Sequence, residues 1–396
     1  MTLNPEIFTW ARDTAGLSPD AAARALGFND TRDRSATERL KALEAGDEEP
    51  SRSVLLKMAK AYRRSLLVFY LSGPPRPGDR GHDFRTVPGT PPPQYHPILD
   101  ALIRDIRGRQ TIVRALLEEI EPRPLDFIGS ASMDDSTHHL ANRITERLRF
   151  SLPEFRAQAT LQASFRYLRE NIEATGVYLL LLGNLGSHHT NVEPDIFRGF
   201  AIADPIAPFI VVNDQDARAA WSFTALHELV HLWLGTTGIS GGSFETQIER
   251  YCNDLAGEIL LPATDIRTLA HLHNAPLDDA IEVISTFAER NKVSRAMVAY
   301  KLLQARTVSA ATWQDLANHF RLQWIASRER SQTKASEEGP SYYVVKRHRL
   351  GNALLDTVRR SLAEGMLTPT KAAQVLGVKP RNVDPLLHSA PQQSTH

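Results

Sequence analysis

Apolar positions in the first 70 residues form short helical stripes. Ala21, Ala22, Ala25 and Leu26 share one face behind Ser18-Pro19, an N-cap followed by proline at the first helical position, and Gly27 stops that helix. Leu40 and Leu43 mark a second helix over 36–44, ended by Gly46. Pro50-Ser51 opens a third, with Leu55, Leu56, Met58 and Ala59 apolar, and the run Leu66–Leu71 closes the unit. Gly73–Asp79 and the Pro-rich stretch Pro88–Pro93 read as linker. From about 95 to 121, Ile98, Leu102, Ile106, Val113, Leu116 and Ile120 repeat with the 3.6-residue period of one long helix, which Pro122 and Pro124 end. Helical patterning continues to about residue 174.

The period then changes. Gly176–Leu182, Phe197–Ile202 and Pro208–Asn213 are rich in β-branched and aromatic residues and predict three strands. Helices follow over Ala217–Leu234 and Phe244–Leu261, the second closed by Pro262, and the pattern stays helical over 265–327. Arg328–Pro340 is polar and reads as a linker. A last helical unit covers Leu350 to Leu387, and Gln392–His396 reads as a tail without structure. No repeat of fixed period is visible. The expected fold is mainly α with a small β-sheet, an α+β arrangement. Its expected segments are 1–72, a linker 73–94, a helical connector 95–160, a core 161–275, a helical extension 276–327 and a basic helical unit 341–390.

Composition adds exclusions. The 396 residues are enough for two or three domains, and 42% apolar with 23% charged is ordinary globular composition. With 46 Lys+Arg against 46 Asp+Glu, the chain as a whole is not built to coat nucleic acid or an acidic membrane. The single cysteine, Cys252, excludes a disulfide framework and a cysteine-rich zinc module. Met1–Asp13 lacks the basic start and apolar stretch of a signal peptide, and no apolar run approaches the ~20 residues a bilayer requires. A cytoplasmic protein without membrane contact is the expectation.

The sharpest chemical feature is His227-Glu228-Leu229-Val230-His231. Residues four apart on a helix lie one above the other, so both imidazoles reach one metal ion, while Glu228, about 100° round the helix, is free to face a water. Two histidines, a third protein ligand and a water make an open catalytic zinc site with the glutamate as base. The next helix offers Glu245, Glu249, Asp254 and Glu258 as third ligand. Glu249 is favoured, because Cys252, Asn253, Ala256 and Gly257 would let its helix press close. Asn253 or Asp254 would orient a ligating imidazole. Cys252 reads as a small buried side chain. Tyr251 and Arg218 are both open as oxyanion groups. Asn213 ends a strand to which an extended peptide substrate could add. The adjacent pairs His138-His139 and His188-His189 diverge and read as surface residues.

Phe223–His231, followed eighteen residues after His231 by Glu249–Pro262, resembles the ImmA/IrrE family of zinc metallopeptidases. The shared features are the Phe-Thr lead-in, H-E-x-x-H, the later glutamate with an asparagine four residues on, and the closing L-L-P, over roughly 160–270. The resemblance implies a zincin-like core, zinc as cofactor, His227, His231 and Glu249 as its ligands and Glu228 as general base. It also implies cleavage of a transcriptional repressor in a stress or phage-related response. The chain itself, cut within Gly73–Asp79, is an alternative substrate.

Gly16–Gly27, Leu43–Gly46 and Pro50–Ala59 resemble the XRE-type helix-turn-helix, which many members of that family carry and which usually dimerises. Asp83-Phe84-Arg85-Thr86 and the C-terminal Leu350-Gly351 and Gly365–Thr368 fit the same longer arrangement. On this resemblance Arg39 and Lys41 would meet the DNA groove, with Arg32 and Arg34 near the backbone. The unit departs from a strong DNA reader: its second and third helices are far apart, residues 1–80 hold 13 Lys/Arg against 11 Asp/Glu, and Asp47-Glu48-Glu49 follows the recognition helix. Residues 341–390 are more basic, eight Lys/Arg against three Asp/Glu, and are a second candidate for DNA or a solvated cap. Two other readings stay open: a regulator or antitoxin-like repressor that uses the peptidase fold as a sensor without cleavage, and an interaction module.

Overall fold

The computed structural model describes residues 3–75, 97–120, 123–186, 190–240, 247–333 and 341–388. The chain divides into two units, Met1–Asp105 and Ile106–His396. Most of the expected linker and the Asp83–Thr86 motif lie outside the described residues, as do His188, His189 and the tail.

The first unit holds α1 (Glu6–Asp13), α2 (Pro19–Ala25), α3 (Ala36–Ala45), α4 (Arg52–Ala61) and a 3₁₀ turn over Leu66–Tyr70. Local chemistry fixes the helix starts. Ser18 Oγ accepts from Ala21 N at 3.2 Å, and Ser51 Oγ accepts from Val54 N at 3.3 Å. Ser35 and Glu38 form a reciprocal capping box (2.8 and 3.2 Å). Gly46 ends α3 at φ +83°, where a Cβ would meet Pro5 Cγ at 2.8 Å. Ile7, Phe8, Leu26, Leu40, Leu43, Leu55, Met58 and Phe69 form its core.

The described residues of the second unit are built round four strands: β1 (Tyr178–Leu181), β2 (Gly199–Ile202), β3 (Phe209–Val212) and β4 (Gly238–Ser240). Their order is β1-β3-β2-β4. β1 runs parallel to β3, while β2 is antiparallel to both β3 and β4, with Gly199 opposite Val212 on one side and Ser240 on the other. Every residue of β1, β2 and β3 is buried, so these strands read as continuous apolar runs and not as alternating ones. β4 was not legible in the sequence, because three residues are too few to show a period of two.

The helices of this unit are α5 (Pro97–Ile120), α6 (Thr137–Leu148), α7 (Leu152–Ala157), α8 (Leu161–Glu173), α9 (Arg218–Trp233), α10 (Gln247–Leu260), α11 (Ala263–Arg267), α12 (Leu277–Asn291), α13 (Arg295–Gln304), α14 (Ala310–Thr333), α15 (Tyr342–Leu350), α16 (Asn352–Ala363), α17 (Pro369–Leu376) and α18 (Val383–His388), with α5 beginning in the first unit. One apolar cluster runs from Phe127 through Leu140, Phe165, Ile210, Leu226, Leu255 and Ile284 to Phe320. The expected boundaries at 160/161 and 275/276 fall inside that cluster. The expected linker also starts late, since α14 continues to Thr333 and Arg328 pairs with Glu193 at 2.6 Å. No helix among the described residues is long and apolar enough to cross a membrane.

A buried ion pair docks the C-terminal helices onto the sheet. Arg169 donates to Glu173 at 2.9 Å, to Leu179 O in β1, and to His348 O at 2.6 Å. Glu173 Oε2 accepts from Asn352 N and Ala353 N, both at 3.1 Å, at the start of α16. Burial pushes the Glu173 carboxyl upward in pKa, against the guanidinium beside it. Removing one partner of such a pair costs about 3–5 kcal/mol, because the other is left charged and buried. Several basic residues of this segment are likewise engaged: Arg349 pairs with Asp214 at 2.6 Å, Arg347 and Arg359 donate to Leu387 O, and Arg359 also pairs with Asp356.

Candidate metal centre

α9 carries the H-E-x-x-H residues, and apart from Phe223 every residue from Trp221 to Trp233 is buried. The sheet lies on one side of it, α8 and α10 on others. A buried helix end needs partners for its last carbonyls. Here Leu232 O and Trp233 O accept from Gly129 N (3.0 Å) and Ala131 N (2.9 Å). That approach needs a small residue at Gly235, where a Cβ would lie 3.0 Å from Gly129 Cα.

α10 packs against α9 and brings Glu249 to the imidazoles. His227 Nε2 lies 3.1 Å from Glu249 Oε2, His231 Nε2 lies 3.2 Å from Glu249 Oε1, and the two Nε2 atoms are 3.2 Å apart. Tetrahedral metal–ligand bonds of about 2.0–2.1 Å give ligand–ligand edges of roughly 3.3 Å. Two imidazole nitrogens and a carboxylate at this spacing fit a tetrahedral divalent ion. Cys252, one turn after Glu249, places its sulfur so that it and the two imidazoles each offer a donor atom within 4.8 Å of the others. Both side chains thus stand at the imidazoles, with the Glu249 carboxylate 3.1 and 3.2 Å from the two Nε2 atoms.

The charges follow from this packing. Burial alone would raise the Glu249 carboxyl, but both histidines hold it down to about 2. Burial would lower His231, and contacts with the Cys252 thiol and Glu249 instead take it well above the usual histidine range. Burial pushes the Cys252 thiol up.

Two residues that sequence reasoning missed shape the centre. Thr236 Oγ1 lies 3.0 Å from His231 Nδ1 and also faces His231 O at 3.3 Å. With its proton on the carbonyl, the hydroxyl oxygen accepts from Nδ1–H, leaving the Nε2 lone pair toward the metal position. Thr236 had no signal beyond lying one turn after the second histidine. Gly199 opens β2 directly over Glu228, where a Cβ would meet Glu228 Oε1 at 2.8 Å and Thr224 Cγ2 at 2.7 Å. A glycine heading a strand was the available signal for a close approach. Glu228 itself is fully buried, next to His227 in sequence.

Other expected residues stand elsewhere. Asp254 accepts from Gln304 Nε2 at 2.7 Å, so it faces α13 and orients neither imidazole; five residues on from Glu249, it is turned to another face of α10. Asn253, four residues on, shares the Glu249 side and is half-buried. Gly257 makes room for Lys301, whose Cε would lie 2.6 Å from a Cβ there, and not for α9. Asn213 is no docking edge. β3 is an inner strand, and the buried Asn213 amide donates to Val192 O (3.0 Å) and Phe197 O (2.9 Å) to hold the loop before β2. Tyr251 donates to Asp135 O at 2.9 Å, which engages its hydroxyl, and Arg218 begins α9, about 15 Å of helix rise before Glu228. His138 is exposed and 3.9 Å from Glu258.

In the first unit, Arg39 stacks on Phe28 with its guanidinium 4.5 Å from the ring centre, and Arg34 is paired with Glu48. Arg32 and Lys41 are exposed.

Thr236→Val removes the partner of His231 Nδ1 while conserving shape. Metal affinity is expected to fall about 10–100-fold with the fold unchanged, read by competition with a chelator of known affinity. An unchanged affinity would show that Thr236 does not orient the ligand.

No curated protein and no solved structure matches the chain. Residues 183–303 match the family model Peptidase_M78, described as an IrrE N-terminal-like domain. The matched segment runs from just after β1 into α13, and so includes both histidines, Glu228 and Glu249. It lies further along the chain than the 160–270 of the sequence resemblance, supports the ImmA/IrrE family and suggests a metallopeptidase-like function.

Proposed function

We propose that the chain is a zinc-dependent endopeptidase of the H-E-x-x-H type, joined to an N-terminal helix-turn-helix unit that binds DNA. The observation that carries this reading is the meeting of His227, His231 and Glu249 at 3.1–3.2 Å beside the buried Glu228. His227 Nε2, His231 Nε2 and the Glu249 carboxylate would hold the ion. Bound there, zinc supplies Lewis acidity, which polarises a scissile carbonyl and makes a water more acidic. Glu228 takes a proton from the attacking water on a carboxylate oxygen and returns it to the leaving amine nitrogen. Gly199 supports that role, because the space it leaves lets the carboxylate lie under β2. Among the described residues β4 is an edge strand beside β2 and offers backbone to an extended peptide, the role first expected at Asn213.

The substrate is a repressor protein or the chain itself. With equal zinc loading, wild type is expected to release an N-terminal fragment ending within residues 73–79, and Glu228→Ala to stay full length. A wild type that stays intact assigns the substrate to a separate protein, read as new protein termini in cells expressing wild type but not Glu228→Ala. Equal nicking in both proteins, or identical termini in both kinds of cell, contradicts the peptidase reading.

For the first unit, the exposed Lys41 and Arg32, with Arg39 on α3, are the DNA contacts. Retention on sheared chromosomal DNA is expected to weaken steeply as salt rises and to fall further in an Arg39→Ala, Lys41→Ala double variant. Equal retention by the variant contradicts DNA binding through this helix.

A further inference from the structure

We propose that Cys252 is itself a ligand of the metal centre, and that the resting chain therefore holds the ion in a closed, four-ligand set. This rests on the reading of His227, His231 and Glu249 as ligands. Cys252 is the chain's only cysteine and is fully buried. It stands three residues after Glu249 on α10, so both side chains project toward α9. Its sulfur and one nitrogen from each imidazole lie within 4.8 Å of one another. Zinc–sulfur bonds of about 2.3 Å and zinc–nitrogen bonds of about 2.0–2.1 Å place such atoms roughly 3.6 Å apart, so coordination asks for an approach of about 1 Å at most.

A thiolate is also the softer donor and suits zinc better than a carboxylate does. On coordination the S–H bond breaks, the proton leaves to solvent and a sulfur–metal bond forms, with nothing oxidised or reduced. Two imidazoles, a carboxylate and a thiolate fill a tetrahedron, as in structural zinc sites, whereas a catalytic site keeps one position open. The thiolate is thus an inhibitory ligand, and it must withdraw before a water and a carbonyl can share the ion.

Cobalt(II) added to the metal-free full-length chain reads this directly, because an intense thiolate-to-cobalt charge-transfer band in the near ultraviolet can only come from Cys252, the single cysteine. The band is expected in wild type and lost in Cys252→Ser and Cys252→Ala, with the visible cobalt bands kept. Acetohydroxamate, a probe of an open position, is expected to shift the visible bands of the two variants and not of wild type. Visible bands without the sulfur band in wild type overturn the proposal and leave the His–His–Glu centre standing. A wild-type spectrum shifted by acetohydroxamate overturns the closure. A wild type with no visible bands, indistinguishable from His227→Ala, overturns both the proposal and the metal centre.

Discussion

Burying a polar side chain without a partner costs about 1–3 kcal/mol by mutational measures, and a charged one costs more. α9 buries His227, Glu228 and His231 within five residues, on a helix enclosed almost throughout its length. Most of what surrounds it answers that constraint. Glu249 faces both imidazoles, Thr236 meets the outer nitrogen of His231, and the 129–131 segment takes the last carbonyls of the helix. A site of this kind is held by packing before any ligand arrives, which suits chemistry that depends on fixed donor positions.

The backbone gives way where the polar groups need room. Gly199 lets β2 pass over Glu228, and Gly235 lets a loop reach the end of α9. The buried Asn213 amide fixes the loop that leads into β2. Arg169, which also reaches Leu179 O in β1, and Glu173 bind the C-terminal helices through a backbone carbonyl and two backbone amides. The basic C-terminal segment is therefore part of the second unit's fold, and several of its positive charges are engaged within it.

Helix starts and stops were legible because Ser18, Ser51, Gly27 and Gly46 act through local chemistry. The three longer strands were legible because their burial on both faces leaves unbroken apolar runs. That His227 and His231 face one point was legible because helix geometry fixes where residues four apart stand, and Glu249, which stands 3.1–3.2 Å from them, was favoured on its small neighbours and on the family resemblance. What escaped depends on contacts distant in sequence. Nothing near Asp254 says that Gln304 will claim it, and nothing near Gly257 says that Lys301 will cover it. Asn213 looked like a strand end open to substrate because strand order is invisible in the sequence, and β3 proved to be an inner strand. The late end of α14 escaped because polar, charged residues there read as linker although they continue the helix.

The central claim is that α9 and α10 together build one metal site. Metal content of purified wild type, His227→Ala and the Glu249→Ala, Cys252→Ala double variant, each refolded or grown with zinc and checked for fold by circular dichroism, tests it most directly. The account predicts one zinc per chain in wild type and loss of it in both variants. A folded wild type that takes up no zinc, or variants that keep it at full stoichiometry, would contradict the account.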